Sequence, residues 1–237
     1  MSSRTVLFEL GVEELPAGEY CAMAEALADA LVTGLTNNGL SIGKSRVLAT
    51  PRRLSVLISD VSESAKDTEQ AVLGPPMSAA RNAEGEWTPA ALGFAKKQGI
   101  SPSDLHAIVT DKGERLGIVK VVKGAVSVDV LPTLVSQAVN QIPVSKRMRW
   151  GRERHEFLRP VQWLVVLYGS DTIDLSLFGL NASRTTRGHR FHGDQAVEVA
   201  NADVYEETLR AQHVIASVEE RKALISAQVK ALVSDSE

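Results

Sequence analysis

At 237 residues, with 44% hydrophobic and 23% charged residues, the chain is long enough for one large domain or two small ones and has an ordinary globular composition. A formal net charge of −3 excludes a globally basic nucleic-acid binder, and a single cysteine, Cys21, excludes a disulfide framework or a cysteine-based zinc site within the chain. The apolar run near the N-terminus is too short for a signal peptide and no stretch approaches the roughly 18 apolar residues of a membrane span, so a reducing, cytoplasmic setting is expected.

Thr5 to Val12 reads as a strand. The segment Gly11 to Pro16, GVEELP, is expected to turn directly into a helix, with Pro16 at the first helical position. Glu13 and Glu14 then fall before or in the first turn, where stabilisation by the helix dipole is their plainest role. Met23, Leu27, Leu31 and Leu35 recur at helical spacing, and Asn37-Asn38-Gly39 stops the helix. Ser45 to Thr50 and Leu54 to Val61 read as two strands broken by Pro51-Arg52-Arg53, because proline interrupts a central strand. Arg52 and Arg53 either sit exposed at a turn or face other basic segments.

Ser62 to Trp87 is polar or small-residue in character and reads as a long excursion. Thr88-Pro89 caps and opens a helix that Gly99 closes. His106 to Thr110 and Leu116 to Val122, joined by Asp111-Lys112-Gly113-Glu114, predict a hairpin. Val128 to Gln141 is an amphipathic helix ended by Pro143. Val161 to Tyr168 is a buried strand, and Thr172 to Phe178 alternates as a half-buried one. A helix is expected from Asn201 to Gln212. Ser217-Val218-Glu219-Glu220 is a capping box for a last helix to about Val233. That helix has no obvious stop, as in a chain cut within a larger protein.

Basic charge is concentrated in two places. Residues 146–159 carry Lys146, Arg147, Arg149, Arg152, Arg154 and Arg159 against Glu153 and Glu156. Residues 183–193 carry Arg184, Arg187 and Arg190, with His189 and His192 and no acid. The remainder is therefore acidic, and two arginine-rich loops around one sheet segment suggest an anion site, RNA being the obvious large anion. An ordinary solvated polar surface is the competing explanation. Trp163 lies inside an apolar run and reads as core, while Trp150 suits packing or stacking on a base.

Other chemistries leave no mark. There is no P-loop, no GxGxxG after a strand and no nucleophile elbow. His155-Glu156 begins an HExxH pattern, but Arg159 stands where the second histidine belongs. His189 and His192 lack further ligands for a metal site. No catalytic residue is assigned.

Eight short motifs occur in order: GVEELP (Gly11 to Pro16), PRRL (Pro51 to Leu54), Gly74-Pro75, TDKGE (Thr110 to Glu114), KRMRWG (Lys146 to Gly151), FLRP (Phe157 to Pro160), RGHRF (Arg187 to Phe191) and EERK (Glu219 to Lys222). Together they resemble the N-terminal portion of the β subunit of the bacterial, heterotetrameric glycyl-tRNA synthetase family. The resemblance implies an α+β fold with a mixed or antiparallel sheet of B3/B4-like type, packed helices and a C-terminal helical segment. It implies residues 1–180 as the α+β region with an inserted 62–125 segment, and 181–237 as a linker and helical region leading to further domains. The partners it implies are the synthetase α subunit, where ATP and magnesium would act, and tRNA(Gly). A β–β contact stays open.

Joined with the charge pattern, it points to Arg147, Arg149, Arg152, Arg159, Arg187, Arg190 and His189 as RNA-binding, and to Glu13, Glu14, Arg52 and Arg53 as a candidate interface. A subunit-docking scaffold without direct RNA contact and an editing-like module are the alternatives.

Overall fold

The computed structural model describes residues 2–82, 85–111 and 113–234. The chain folds into two compact units, Met1–Ala65 with Ala125–Glu237, and Lys66–Gly124. In chain order the first unit begins with β1 (Ser3–Val12), α1 (Tyr20–Asn37), β2 (Ser45–Thr50) and β3 (Arg53–Ser62). The second unit supplies β4 (Thr68–Pro76), α2 (Pro89–Gln98), β5 (His106–Thr110) and β6 (Gly113–Val122). The first unit then resumes with α3 (Ser127–Gln141), β7 (Met148–Trp150), β8 (His155–Phe157), β9 (Val161–Tyr168), β10 (Asp171–Thr172), β11 (Ser176–Leu177) and β12 (Leu180–Asn181). It closes with β13 (Thr185–Thr186), β14 (Val197–Glu198), α4 (Tyr205–Ala211) and α5 (Val218–Ser234). The fold is α+β, as expected. Among the described residues no helix is long and apolar enough to cross a membrane.

Strand β1 organises the first unit because its sequence is apolar on both faces. It lies at the centre of a five-stranded sheet ordered β10-β9-β1-β3-β2, antiparallel at every ladder. Phe8 and Leu10 on one face join Leu54, Val56, Leu164 and Val166, and this face packs against α1 through Leu27 and Leu31 and α3 through Leu131 and Val135. Leu7 on the other face joins Leu57, Val165 and Leu167 and packs against Tyr205 and Leu209 of α4. Each fully buried side chain of this size stabilises the fold by roughly 1.5–3 kcal/mol, so covering both faces is what fixes the sheet. Val199, Ala202, Tyr205, Leu209 and Ala216 thus supply one of the two layers covering the sheet.

The second unit has its own small core of Ala80, Ala91, Ala95, Leu105 and Leu116. Its strands run in the order β4-β6-β5. The stretch 62–87, expected as an irregular excursion, instead contains β4, which pairs with β6 from Thr68↔Val122 to Leu73↔Gly117. Its pairing partner lies far along the chain, and TEQAVLGPP alone has too little alternation to announce a strand. Helix α2 matches the expectation closely: Thr88 Oγ1 accepts from the Ala91 N–H at 3.4 Å, and Gly99 closes the helix at φ 69°. In the neighbouring loops, Ala83, Glu84 and Lys112 lie outside the described residues.

Two other expectations are corrected. No helix starts at Pro16; α1 begins at Tyr20, so Glu13 and Glu14 are not in its first turn. The backbone of GVEELP is held by Val12 N–H to the Arg52 carbonyl (2.9 Å), Glu13 N–H to Pro160 (3.0 Å) and Leu15 N–H to Pro51 (2.6 Å). After Pro16 the chain makes a turn, with the Glu19 N–H donating to the Pro16 carbonyl at 3.0 Å, before α1 begins. The single strand expected over 172–178 is instead split between β10 and β11. Ile173 and Leu175 are buried as their alternation required, but the chain leaves the main sheet between them and β11 pairs with β12.

Gly11 shows how the second face is built. It pairs with Arg53 on one side and Trp163 on the other, and a Cβ there would lie 1.9 Å from the Trp163 ring. The indole therefore lies across the strand only because residue 11 has no side chain. Gly11→Ala is expected to displace Trp163 and lower stability by about 1–3 kcal/mol or more, measured by chemical denaturation.

Candidate nucleic-acid interface

The second sheet face carries a row of polar side chains beneath the basic loops. Glu9 sits mid-strand in β1 with no exposed surface. Its Oε1 accepts from Trp163 Nε1 at 3.0 Å and from Thr186 Oγ1 at 2.9 Å, and lies 3.6 Å from Arg53 Nη1. Arg53 is 3% exposed and donates from Nη2 to the Arg187 carbonyl at 2.6 Å. This ties the PRRL turn to the RGHRF loop. Ser55 Oγ and Tyr205 Oη lie 2.8 Å apart in the same layer. Breaking such a buried charge pair by removing one partner typically costs about 3–5 kcal/mol.

The RGHRF loop is pinned from below. His189 N–H donates to the Gln212 carbonyl at 2.9 Å, and Gly188 N–H to Asp194 at 2.7 Å. Arg187 turns inward, its guanidinium 4.8 Å above the Trp163 ring. His189 is half-buried, and its Nδ1 accepts from the N–H groups of Phe191 (3.3 Å) and His192 (3.2 Å). Of the RNA-binding residues expected in this loop, Arg190 alone is exposed, and its Nη1 lies 3.7 Å from Glu14 Oε1. Phe191 beside it is 80% exposed.

The other basic stretch forms the hairpin β7–β8 and the segment after it. Arg147, Arg149, Arg152 and Arg159 are all exposed. Arg149 is paired with Glu156 across the hairpin. Arg159 donates from Nε to the Glu14 carbonyl at 3.2 Å. Arg147 and Arg152 have no ion pair among the described residues. Trp150 is half-buried, with its ring 5.7 Å from Phe178 and 5.9 Å from His155, so it serves packing.

Of the candidate interface residues, Glu13 and Arg52 are half-buried and Glu14 is exposed, whereas Arg53 is turned into the protein and offers a macromolecular partner almost no surface. Among the described residues no cluster of three or more His, Cys, Asp or Glu side chains is placed to hold a metal.

Sequence reasoning passed over Glu9, Thr186 and Tyr205. A signal for Glu9 was present: it is the one charge inside the apolar run VLFEL, and a carboxylate at that spot must find partners. Thr186 and Tyr205 carry no comparable mark, because their role depends on hydrogen bonds that span 177 and 150 residues of chain.

An antiparallel α+β module with cationic loops held over a buried polar layer is the class of protein that these features define. A family model described as "Glycyl-tRNA synthetase beta subunit" matches residues 6–237. The chain is 40% identical over all its 237 residues to the glycine–tRNA ligase β subunit of Pseudomonas savastanoi pv. phaseolicola, of which it covers 34%. It is 41% identical over 231 residues to that of Chromohalobacter salexigens, covering 98% of this chain and 33% of the relative. The chain belongs to the glycyl-tRNA synthetase β-subunit family. It spans about a third of the length of the curated relatives it matches.

Burial pushes the Tyr205 phenol well above its ordinary value of 10.0, and the nearby Glu9 charge pushes it the same way. The folded state therefore holds this proton more tightly than the unfolded chain. Its contribution is fully present below about pH 10 and is lost as pH rises from there towards the folded value. Stability should fall above pH 10 by up to about 1.4 kcal/mol per pH unit from this group. Tyr205→Phe should flatten that alkaline slope in denaturation measured between pH 9 and about 11.

Proposed function

We propose that the chain is the N-terminal tRNA-handling part of a glycine–tRNA ligase β subunit and supports the ATP-dependent charging of tRNA(Gly) carried out with the α subunit. ATP and magnesium act on the α subunit in this reading, in a cytoplasmic setting, and no residue of this chain is assigned to catalysis. Family membership supports the role. The observation that carries RNA binding is the meeting of the two basic segments at GVEELP, where Arg159 reaches the Glu14 carbonyl and Arg190 its carboxylate. In the other basic stretch Arg147 and Arg152 remain exposed for phosphate, while Arg149 exchanges Glu156 for phosphate at modest cost, since exposed pairs contribute about 0–1 kcal/mol. Arg187 is reassigned to a supporting role, because its guanidinium is spent on Trp163.

A subunit-docking scaffold is the second reading. Helix α5 has no buried residue and carries exposed Leu224, Ile225 and Val229, an apolar stripe suited to another protein surface.

Replacing Arg147 and Arg152 with alanine is expected to weaken tRNA binding and to reduce the salt slope by roughly 0.7–0.9 for each phosphate that is no longer neutralised. Arg187→Ala should lower stability instead. Unchanged affinity and slope in the double variant, together with capture of the α subunit without tRNA, would replace the RNA-handling reading with the scaffold.

A further inference from the structure

A cleft of about 440 Å³ opens between the PRRL turn, the RGHRF loop and the start of α5. Its size falls in the range of small-molecule sites. Arg52, Arg53, Arg190 and Arg221 line it, against one carboxylate, that of Glu14. Glu14 is already 3.7 Å from Arg190, so the cleft keeps an excess of positive charge.

Two of these arginines have unmet donors. The Nε atoms of Arg52 and Arg53 are buried and have no hydrogen-bond partner, and the same holds for Arg53 Nη1 and, in the layer around it, Glu9 Oε2. Buried donors are nearly always satisfied, and at Arg52, the half-buried one of the two, an anion would supply the missing acceptor. Arg221 is a fixed charge rather than a mobile arm, since its guanidinium donates to the Ile215 carbonyl at 2.6 Å and the Ala49 carbonyl at 3.1 Å.

The rim adds a second kind of chemistry. Phe191 lines the cleft and is 80% exposed, with the Arg190 guanidinium 5.8 Å from its ring centroid. Its loop is braced: Gly193 N–H donates to the His189 carbonyl at 2.9 Å, and a Cβ on Gly193 would lie 2.6 Å from the His189 nitrogen. The ring is therefore presented from a rigid support. Arginine donors inside and an exposed aromatic ring at the lip match the two halves of a nucleotide, its phosphate and its base. A stacked duplex has no free base to offer the ring, so the fit is to a single unstacked unit.

We infer that this cleft holds one unstacked nucleotide, its phosphate against Arg52 and its base on Phe191. The inference rests on the RNA-handling reading for the source of that nucleotide, an RNA strand; a free nucleotide has the same chemistry.

The test uses the 237-residue chain with adenosine 5′-monophosphate followed by NMR and a short single-stranded RNA followed by fluorescence anisotropy. Adenosine 5′-monophosphate should shift amide signals of residues 51–53 and 188–191. Phe191→Ala, which removes an exposed side chain and leaves the core intact, should weaken both ligands about tenfold. Arg52→Lys should weaken both as well, by loss of its forked donors. Arg147→Ala with Arg152→Ala should weaken the RNA and leave the mononucleotide unchanged.

Binding of the mononucleotide with Phe191 dependence, but none of the RNA, supports the cleft with free nucleotide as its source and sinks the RNA-handling reading. RNA binding that depends on Arg147 and Arg152, with no mononucleotide shifts and a silent Phe191→Ala, overturns the cleft and leaves that reading standing.

Discussion

A carboxylate with no access to water, Glu9, is the constraint on which the first unit depends. Buried without partners, an ionised carboxylate is prohibitively unfavourable. Its partners come from three other strands: Arg53 from β3, Trp163 from β9 and Thr186 from β13. The charge thus acts as a register pin. Slipping β1 by one residue would turn Glu9 into the opposite face, among Phe8, Leu10 and Val56, where no cation waits. Apolar packing supplies most of the stability, but apolar packing alone is tolerant of shifts. The pin selects one register among several that bury similar area.

The same pin connects the core to the surface. Arg53 is held near Glu9 at one side of its guanidinium and grips the Arg187 carbonyl with Nη2. Arg187 in turn covers Trp163, whose indole nitrogen returns to Glu9. This closed circuit fixes the base of the RGHRF loop, and Gln212 fixes its other side. The exposed tip, Arg190 and Phe191, is consequently presented by a loop with little freedom to rearrange. Binding to such a loop loses less ordering entropy than binding to a mobile one.

Much of this architecture was legible where the signal is local. Thr88, Pro89 and Gly99 mark both ends of α2 through their own backbone chemistry, and the apolar run 161–168 marks a buried strand. What escaped was decided by distant partners. Pro16 is compatible with a helix start, yet the segment before it is tied to Pro51, Arg52 and Pro160 and a turn follows it, so α1 begins only at Tyr20. Strand β4 looks irregular until β6 is laid beside it. For the site, charge density located the cationic loops but not the direction of each arginine. Arg187 and Arg190 are three residues apart in one motif, and the first faces Trp163 while the second faces solvent. Direction depends on which side of the loop meets the sheet, and only tertiary packing settles that.

The unmet donors at Arg52 and Arg53 follow from the same geometry. The turn between β2 and β3 is not free to move, because Val12 and Leu15 hold the carbonyls of Arg52 and Pro51. A side chain on a movable turn would swing until water satisfied it. Here the backbone is set by GVEELP, and Arg53 is set by Glu9 and the Arg187 carbonyl. The Nε groups are left buried and without an acceptor. Natural interiors rarely keep such donors unless an acceptor arrives at some stage of the protein's work. The PRRL turn therefore sits where a structural need and a binding need coincide: the buried carboxylate requires Arg53 nearby, and the resulting rigidity keeps Arg52 oriented before any anion reaches it.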